Sequence, residues 1–242
     1  MTVDARPMLH CILRDPPRDA SLPAGLRGIG MDGLRAVVAD VNPHQIRAAD
    51  SARLQAYADL IANIHRAAPL IPMRFGCVLP SDDAVRTLLG EHHKRLLAML
   101  DQLDDCVEIG IRLLLPEVGD AAVPGTAAPD ASERAGPGHS HLAAIRRRLD
   151  AEARAEARAE QARGAMERIV AGLYRDLRQE FGQIDGRCLL SLYFLVPREH
   201  GGAFVDALRL NPAAVPGAGL ITGPWPPYNF VGAIDDDIRS MA

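Results

Sequence analysis

Glu91-His92-His93 carries the residue types of a zinc site. A zincin, however, needs two histidines at i and i+4 with a glutamate between them, so that both imidazoles reach one metal from one helix face. Here the histidines are adjacent, and a helix sends His92 into an apolar stripe and His93 toward its edge. His92 is therefore expected to be a satisfied, partly buried side chain. Arg74-Phe75-Gly76 falls late in an expected strand and just before an expected helix, near where a phosphate would sit, but it lacks the glycine-rich loop and the lysine of a P-loop. The residues favour Arg74 pairing with a local carboxylate or capping a carbonyl, with Gly76 admitting a close backbone approach. No GxSxG elbow occurs. Cys11, Cys77, Cys106 and Cys188 are far apart, each inside or at the start of an expected strand, and read as reduced core thiols. His139 and His141 fall in a proline- and glycine-rich tract, and Asp235-Asp236-Asp237 sits near the end of the sequence; both groups read as solvated. The expectation is a chain with no catalytic site, no metal and no cofactor.

The most unusual composition is Gly223-Pro224-Trp225-Pro226-Pro227-Tyr228-Asn229-Phe230, which sets the only tryptophan and two further aromatics among three prolines. Proline fixes φ and holds an extended path. Trp225, Tyr228 and Phe230 on such a path can plug a junction between two domains, or serve as rigid interface anchors. The two roles can coexist.

These residues need elements to place them. Met8 to Leu13 is apolar on both faces and reads as a central strand. Asp32-Gly33, between Arg27–Met31 and Leu34–Val41, predicts a hairpin, because both turn positions need positive φ. Leu54, Tyr57, Ile61 and Ile64 mark an amphipathic helix from about Asp50 to Arg66. Leu70 to Val78 reads as a buried strand. Ser81 is a helix N-cap, with Asp82 and Asp83 on the positive end of the dipole. Val85, Leu88, Leu89, His92, Leu96, Met99 and Leu103 then predict one continuous helix. From Val107 the period changes to an alternation of Val107, Ile109, Ile111, Leu113 and Leu115 against Glu108, Gly110, Arg112 and Leu114, a strand with one face in a core.

Residues 116–141 hold four prolines and four glycines and read as a flexible linker. From Leu142, with AEARAEARAEQAR at its centre, the spacing predicts a long helix, solvated at first and then apolar through Met166, Ile169, Val170, Leu173, Leu177 and Phe181 to a stop at Gly182. Cys188 to Val196 is a central strand, Ala203 to Leu210 a helix with Phe204, Ala207 and Leu208 inward, and Gly219 to Thr222 a short strand. The fold class is α+β: two small α/β domains, the first ferredoxin-like over 1–115, joined by the 116–141 linker to a second over 142–242 that opens with the long helix.

Composition is that of an ordinary globular protein, 48% hydrophobic and 24% charged, but with only 4% aromatics its cores must be mainly aliphatic. A formal net charge of -4 argues against a nucleic-acid partner. No apolar run approaches the roughly 20 residues of a membrane-spanning helix and MTVDARPMLH lacks a leader pattern, so a cytoplasmic protein without a lipid-membrane partner is expected.

Two blocks carry a family resemblance. PMRFGCVLPSDDAVRTLL followed by VEIGIRL resembles the first signature block of the gas vesicle synthesis proteins GvpL and GvpF, and LITGPWPPYNFV, preceded by the LVPRE strand, is similar to their closing motif. The resemblance implies a non-enzymatic accessory protein that binds the small hydrophobic vesicle shell protein and other accessory vesicle proteins during nucleation and growth. On that reading the Arg74-Phe75-Gly76 turn and the Trp225 to Phe230 loop shape the surface that takes the partner. Two other classes remain open: a ligand- or nucleotide-binding regulator or enzyme on a ferredoxin-like scaffold, and an adaptor that uses the 142–181 helix as a bundle partner.

Overall fold

The computed structural model describes residues 5–15, 22–46, 50–115, 137–184, 187–212 and 219–232. It is an α+β protein with two four-stranded antiparallel sheets. The described residues of Met1–Ile109, Phe194–Gly201 and Thr222–Ala242 form one compact unit, and those of Gly110–Tyr193 and Gly202–Ile221 a second.

In the first unit, β1 (Arg6–Arg14), β2 (Arg27–Met31), β3 (Leu34–Val41) and β4 (Leu70–Pro72) are ordered β2-β3-β1-β4. β1 is central and buried from Pro7 to Leu13, as its two apolar faces require. Asp32 and Gly33 have φ of 47° and 82°, and close the β2–β3 hairpin with Met31 opposite Leu34. Regular pairing along β1 is broken at one residue. The β1–β3 register shifts between Leu9 and Cys11, so His10 is a bulge and Met8, Cys11 and Leu13 share one face. That face packs on Tyr57, Ile61 and Ile64 of α2 (Ser51–Ala67), which follows the short α1 (Pro43–Ile46) and whose N-cap Asp50 accepts from the Arg53 amide at 2.9 Å. Leu54, expected in this stripe, is 47% exposed; the inward face starts one turn later.

The expected strand Leu70 to Val78 is β4 plus an interruption, described with the site below. The expected single helix is two: α3 (Asp82–Glu91), capped by the Ser81 hydroxyl on Ala84, and α4 (His93–Leu103). The break is at His92, whose φ of -101° and ψ of 9° leave the helix, and His93 Nε2 contacts the Asp32 carbonyl at 2.9 Å. Breaking there turns Leu96, Leu100 and Leu103 inward, while Met99 stays half-buried. Arg27 ties this unit's surface together, donating to both carboxylate oxygens of Asp40 at 3.0 and 2.6 Å and to both of Asp82 at 2.7 Å. These bonds hold both aspartates below their ordinary value.

The remaining elements follow the succession β5 (Cys106–Leu114), α5 (Pro137–Ile169), β6 (Asp176–Ile184), β7 (Arg187–Pro197), α6 (Gly201–Arg209) and β8 (Leu220–Trp225). Their sheet is ordered β6-β7-β5-β8. Leu115 N–H donates to the Cys188 carbonyl and Arg198 N–H to that of Asp105, both at 2.9 Å, at opposite ends of β5 and β7 as antiparallel pairing requires. α5 starts at Pro137, inside the tract expected as linker, and the rest of that expectation lies on residues 116–136, outside the described residues.

The helix expected to run to Phe181 stops at Ile169. Gly172, at φ 79°, turns the chain, and Asp176–Ile184 is strand. Leu177 and Phe181 are spaced for a helix as well as for one face of a strand, so spacing alone could not separate the two. Among the described residues Ala159, Ala162 and Met166 are the buried line of α5, continued by Val170 just beyond its end, whereas Leu149 is 58% exposed. The β7 strand and the inward Phe204 and Leu208 of α6 are as expected. Cys11, Cys77 and Cys106 are buried free thiols and Cys188 is half-buried; burial pushes Cys11 up to about 12.

Candidate functional site

The first unit holds an apolar cleft built on two interruptions of regular pairing. One is the His10 bulge. The other begins after β4, where Met73 N–H donates to the His10 carbonyl at 2.9 Å. Pairing with β1 resumes only at Cys77, whose carbonyl accepts from Leu9 N–H at 2.7 Å, and at Leu79, which donates to Pro7 at 2.9 Å. Arg74, Phe75 and Gly76 are thus an excursion from the strand, turned at Gly76 with φ 90°. It carries Phe75 edge-on to Tyr57, with centroids 5.3 Å apart and rings at 87°. His10 lies on the other aromatic contact of Tyr57, 5.0 Å between centroids. Tyr57 is itself fixed, its hydroxyl donating to the Met73 carbonyl at 2.7 Å.

These rings, with Met8, Val41, Ile46 and Leu60, line a cleft of about 350 Å³ that also has Asp40, Asn42 and Arg53 on its walls. Its volume is at the lower end for a small ligand or a side-chain anchor. His10 is 3% exposed, and its Nδ1 is 2.9 Å from the Met8 carbonyl. Burial, only partly offset by that bond, lowers its pKa and keeps the ring neutral. The site offers apolar surface and little charge, which suits capture of an apolar group better than acid–base chemistry.

The proline-aromatic segment closes the same unit. Gly223, at φ 111°, passes so close to β5 that a Cβ there would stand 2.6 Å from the Glu108 carbonyl oxygen. Gly223–Pro224 is a cis peptide bond, and Trp225 is 48% exposed. Pro226 and Pro227 are buried. Tyr228 packs, like Phe75, against the Met8, Cys11, Tyr57 cluster, and burial raises its pKa, helped by Cys11 and Glu108. Asn229 then holds Glu108 twice, through its backbone N–H at 2.9 Å and its side-chain amide at 2.7 Å. Phe230 and Val231 are 5% and 2% exposed.

The two sequence blocks therefore meet on one hydrophobic cluster, through Phe75 and Tyr228. Arg74 and Trp225 are exposed, and Gly76, Gly223 and Pro224 shape the path of the backbone. Sequence reasoning missed three residues. Glu108 was assigned to the polar face of its strand but is 4% exposed. In the sequence His10 and Tyr57 are strand and helix residues that no local spacing marks, because the bulge that gathers them is tertiary. Among the described residues no group of three or more His, Cys, Asp or Glu could hold a metal, and no helix is long and apolar enough to cross a membrane.

Comparison with known proteins gives concordant matches. The family model described as gas vesicle synthesis protein GvpL/GvpF matches residues 9–232. Gas vesicle protein L of Streptomyces sp. (strain CB03234) is 28% identical, across 99% of this chain and 97% of that protein. Gas vesicle protein F of the same organism is 29% identical, across 87% of this chain and 94% of its own length. The fold is similar to crystal structures of the gas vesicle protein GvpF from Anabaena sp. PCC7120, with a TM-score of 0.71 at 16% identity over 94% and 96% of the two chains. GvpF from Microcystis aeruginosa gives a TM-score of 0.70 at 15% identity over 95% and 99%.

Proposed function

Because the chain belongs to the gas vesicle synthesis protein GvpL/GvpF family, we propose that it is a non-enzymatic accessory protein of vesicle assembly that binds the small hydrophobic shell protein and other accessory vesicle proteins. It works in the cytoplasm at the growing vesicle, without a lipid membrane or nucleic acid. A shell protein not yet assembled exposes apolar surface, and what this chain offers it is the cleft of Met8, His10, Tyr57 and Phe75. That cleft is the observation that carries the reading, since it joins a family-motif residue, Phe75, to an apolar site with a neutral interior. We read the second sheet, with its β-α-β-β-α-β succession, as a ferredoxin-like layer. The first sheet has the same strand order, and among the described residues a helix lies on its β3–β4 crossover.

The test is co-purification of the tagged chain with the small shell protein, using Phe75→Ala and Trp225→Ala variants whose folding is checked by circular dichroism. Loss of the partner from folded Phe75→Ala, with Trp225→Ala retained or weakened, supports the cleft. Normal recovery with Phe75→Ala removes the cleft from the interface. No recovery with the unaltered chain removes direct shell-protein binding, and a nucleotide titration by calorimetry then tests the regulator class.

A further inference from the structure

β6 is the terminal strand of its sheet, and every residue from Arg178 to Ile184 is exposed. A sheet edge presents unpaired N–H and C=O groups, and proteins usually blunt it with charged side chains, lysine above all, with proline or with a very short strand. β6 is nine residues long and contains neither lysine nor proline, and its three charges, Asp176, Arg178 and Glu180, are of mixed sign. It also carries Phe181 and Ile184 at 53% and 49% exposure. An edge of this kind calls for a partner strand.

The sequence of β6 says which strand fits. When two copies of an edge strand pair antiparallel about a twofold axis, each residue faces its mirror position, so the strand must complement itself. With the axis at Gln179, Arg178 faces Glu180 twice and Leu177 faces Phe181 twice, while Asp176 faces the small Gly182. Opposite-charge and apolar pairs are the stabilising cross-strand pairs. Moving the axis one residue either way sets Arg178 against Arg178 or Glu180 against Glu180. Within the single chain these charges are only loosely held: Arg178 reaches Asp176 at 3.3 Å with its side chain 56% exposed, and Glu180 accepts from the Tyr193 hydroxyl at 3.1 Å.

We propose that the chain forms a twofold dimer by pairing β6 with β6 of a second copy in the register centred on Gln179, which joins two four-stranded sheets into one of eight strands. The dimer covers Phe181 and leaves no open edge at β6.

The experiment is light scattering after size exclusion, over a concentration series, on the full chain and on Arg178→Glu, Glu180→Arg and the double reversal, with thermal melting as the folding control. The full chain is expected to approach twice its 26.1 kDa mass as concentration rises. Each single reversal turns both charged pairs into like pairs and should weaken dimerisation roughly tenfold. The double reversal, and an equimolar mixture of the two single variants, should restore it, because each again sets a glutamate opposite an arginine. A full chain that stays monomeric throughout overturns the proposal. So does a dimer indifferent to both single reversals, or a folded double variant no better than the singles.

Discussion

Asn229→Ala is the sharpest test of how the proline-aromatic segment is fastened. Glu108 is 4% exposed and takes two hydrogen bonds from Asn229, one from the backbone and one from the side chain. Alanine keeps the backbone donor and removes the amide, so the loss is one hydrogen bond to a buried carboxylate, about 2 kcal/mol. For a chain of this length that corresponds to a fall in Tm of about 4–8 °C. Asn229→Asp should cost more, since it replaces a donor with a second carboxylate. Repulsion would raise the pKa of that pair, so the extra loss is present at neutral pH and shrinks as pH falls and one carboxyl takes a proton. The assay is urea unfolding followed by Trp225 fluorescence, an unambiguous reporter because it is the only tryptophan and lies four residues from Asn229. If Asn229→Ala unfolds within about 0.5 kcal/mol of the unaltered chain, the amide bond contributes nothing net and the fastening argument fails.

Burial, and after it the charge of Arg198, holds His65 at about 4 against an ordinary 6.5, so the native fold keeps it neutral. Its contribution is complete above pH 6.5 and is lost as pH falls toward 4, by up to about 3 kcal/mol, and His65→Gln should flatten that part of a stability-against-pH curve. Arg27→Ala should cost about 1 kcal/mol, because its partners are solvent-exposed, and the cost should shrink in high salt. Since Arg27 depresses both Asp40 and Asp82, the support it gives is present above the ordinary carboxylate value and disappears in acid, so variant and unaltered chain should converge at low pH. Gly223→Ala should destabilise by about 3 kcal/mol or more, from positive φ and overlap with the Glu108 carbonyl, whereas Gly202→Ala, with open space around it, should be neutral or stabilising by about 0.5 kcal/mol in a thermal melt.

Legibility in the sequence followed the range of the interactions. The Asp32-Gly33 turn, the Ser81 cap and the central strands β1 and β7 depend on neighbours within a few residues, and were readable. β6 reads as helix in the sequence because Leu177 and Phe181 satisfy both periods, and the deciding Gly172 turn lies outside that pattern. The Phe75 excursion and the His10 bulge lie beside one another on neighbouring strands, a juxtaposition that no single stretch encodes. The alternation of its strand puts Glu108 on the polar face, because the donor that satisfies it is 121 residues away. The site was thus half visible: Phe75 and Tyr228 could be named from their motifs, but not the cluster that joins them.

That separation of 121 residues also has a meaning in time. A ribosome adds about 5–20 residues per second, so the Glu108 side chain exists for roughly 6–24 s before Asn229 has been made. During that interval the cluster around Met8 and Tyr57 also lacks Tyr228. The first unit cannot close vectorially as it emerges; its final side chains arrive only after β6 and β7 have been made. Nascent chains therefore pass through a state in which an apolar surface built early waits, open, for a segment still inside the translation machinery.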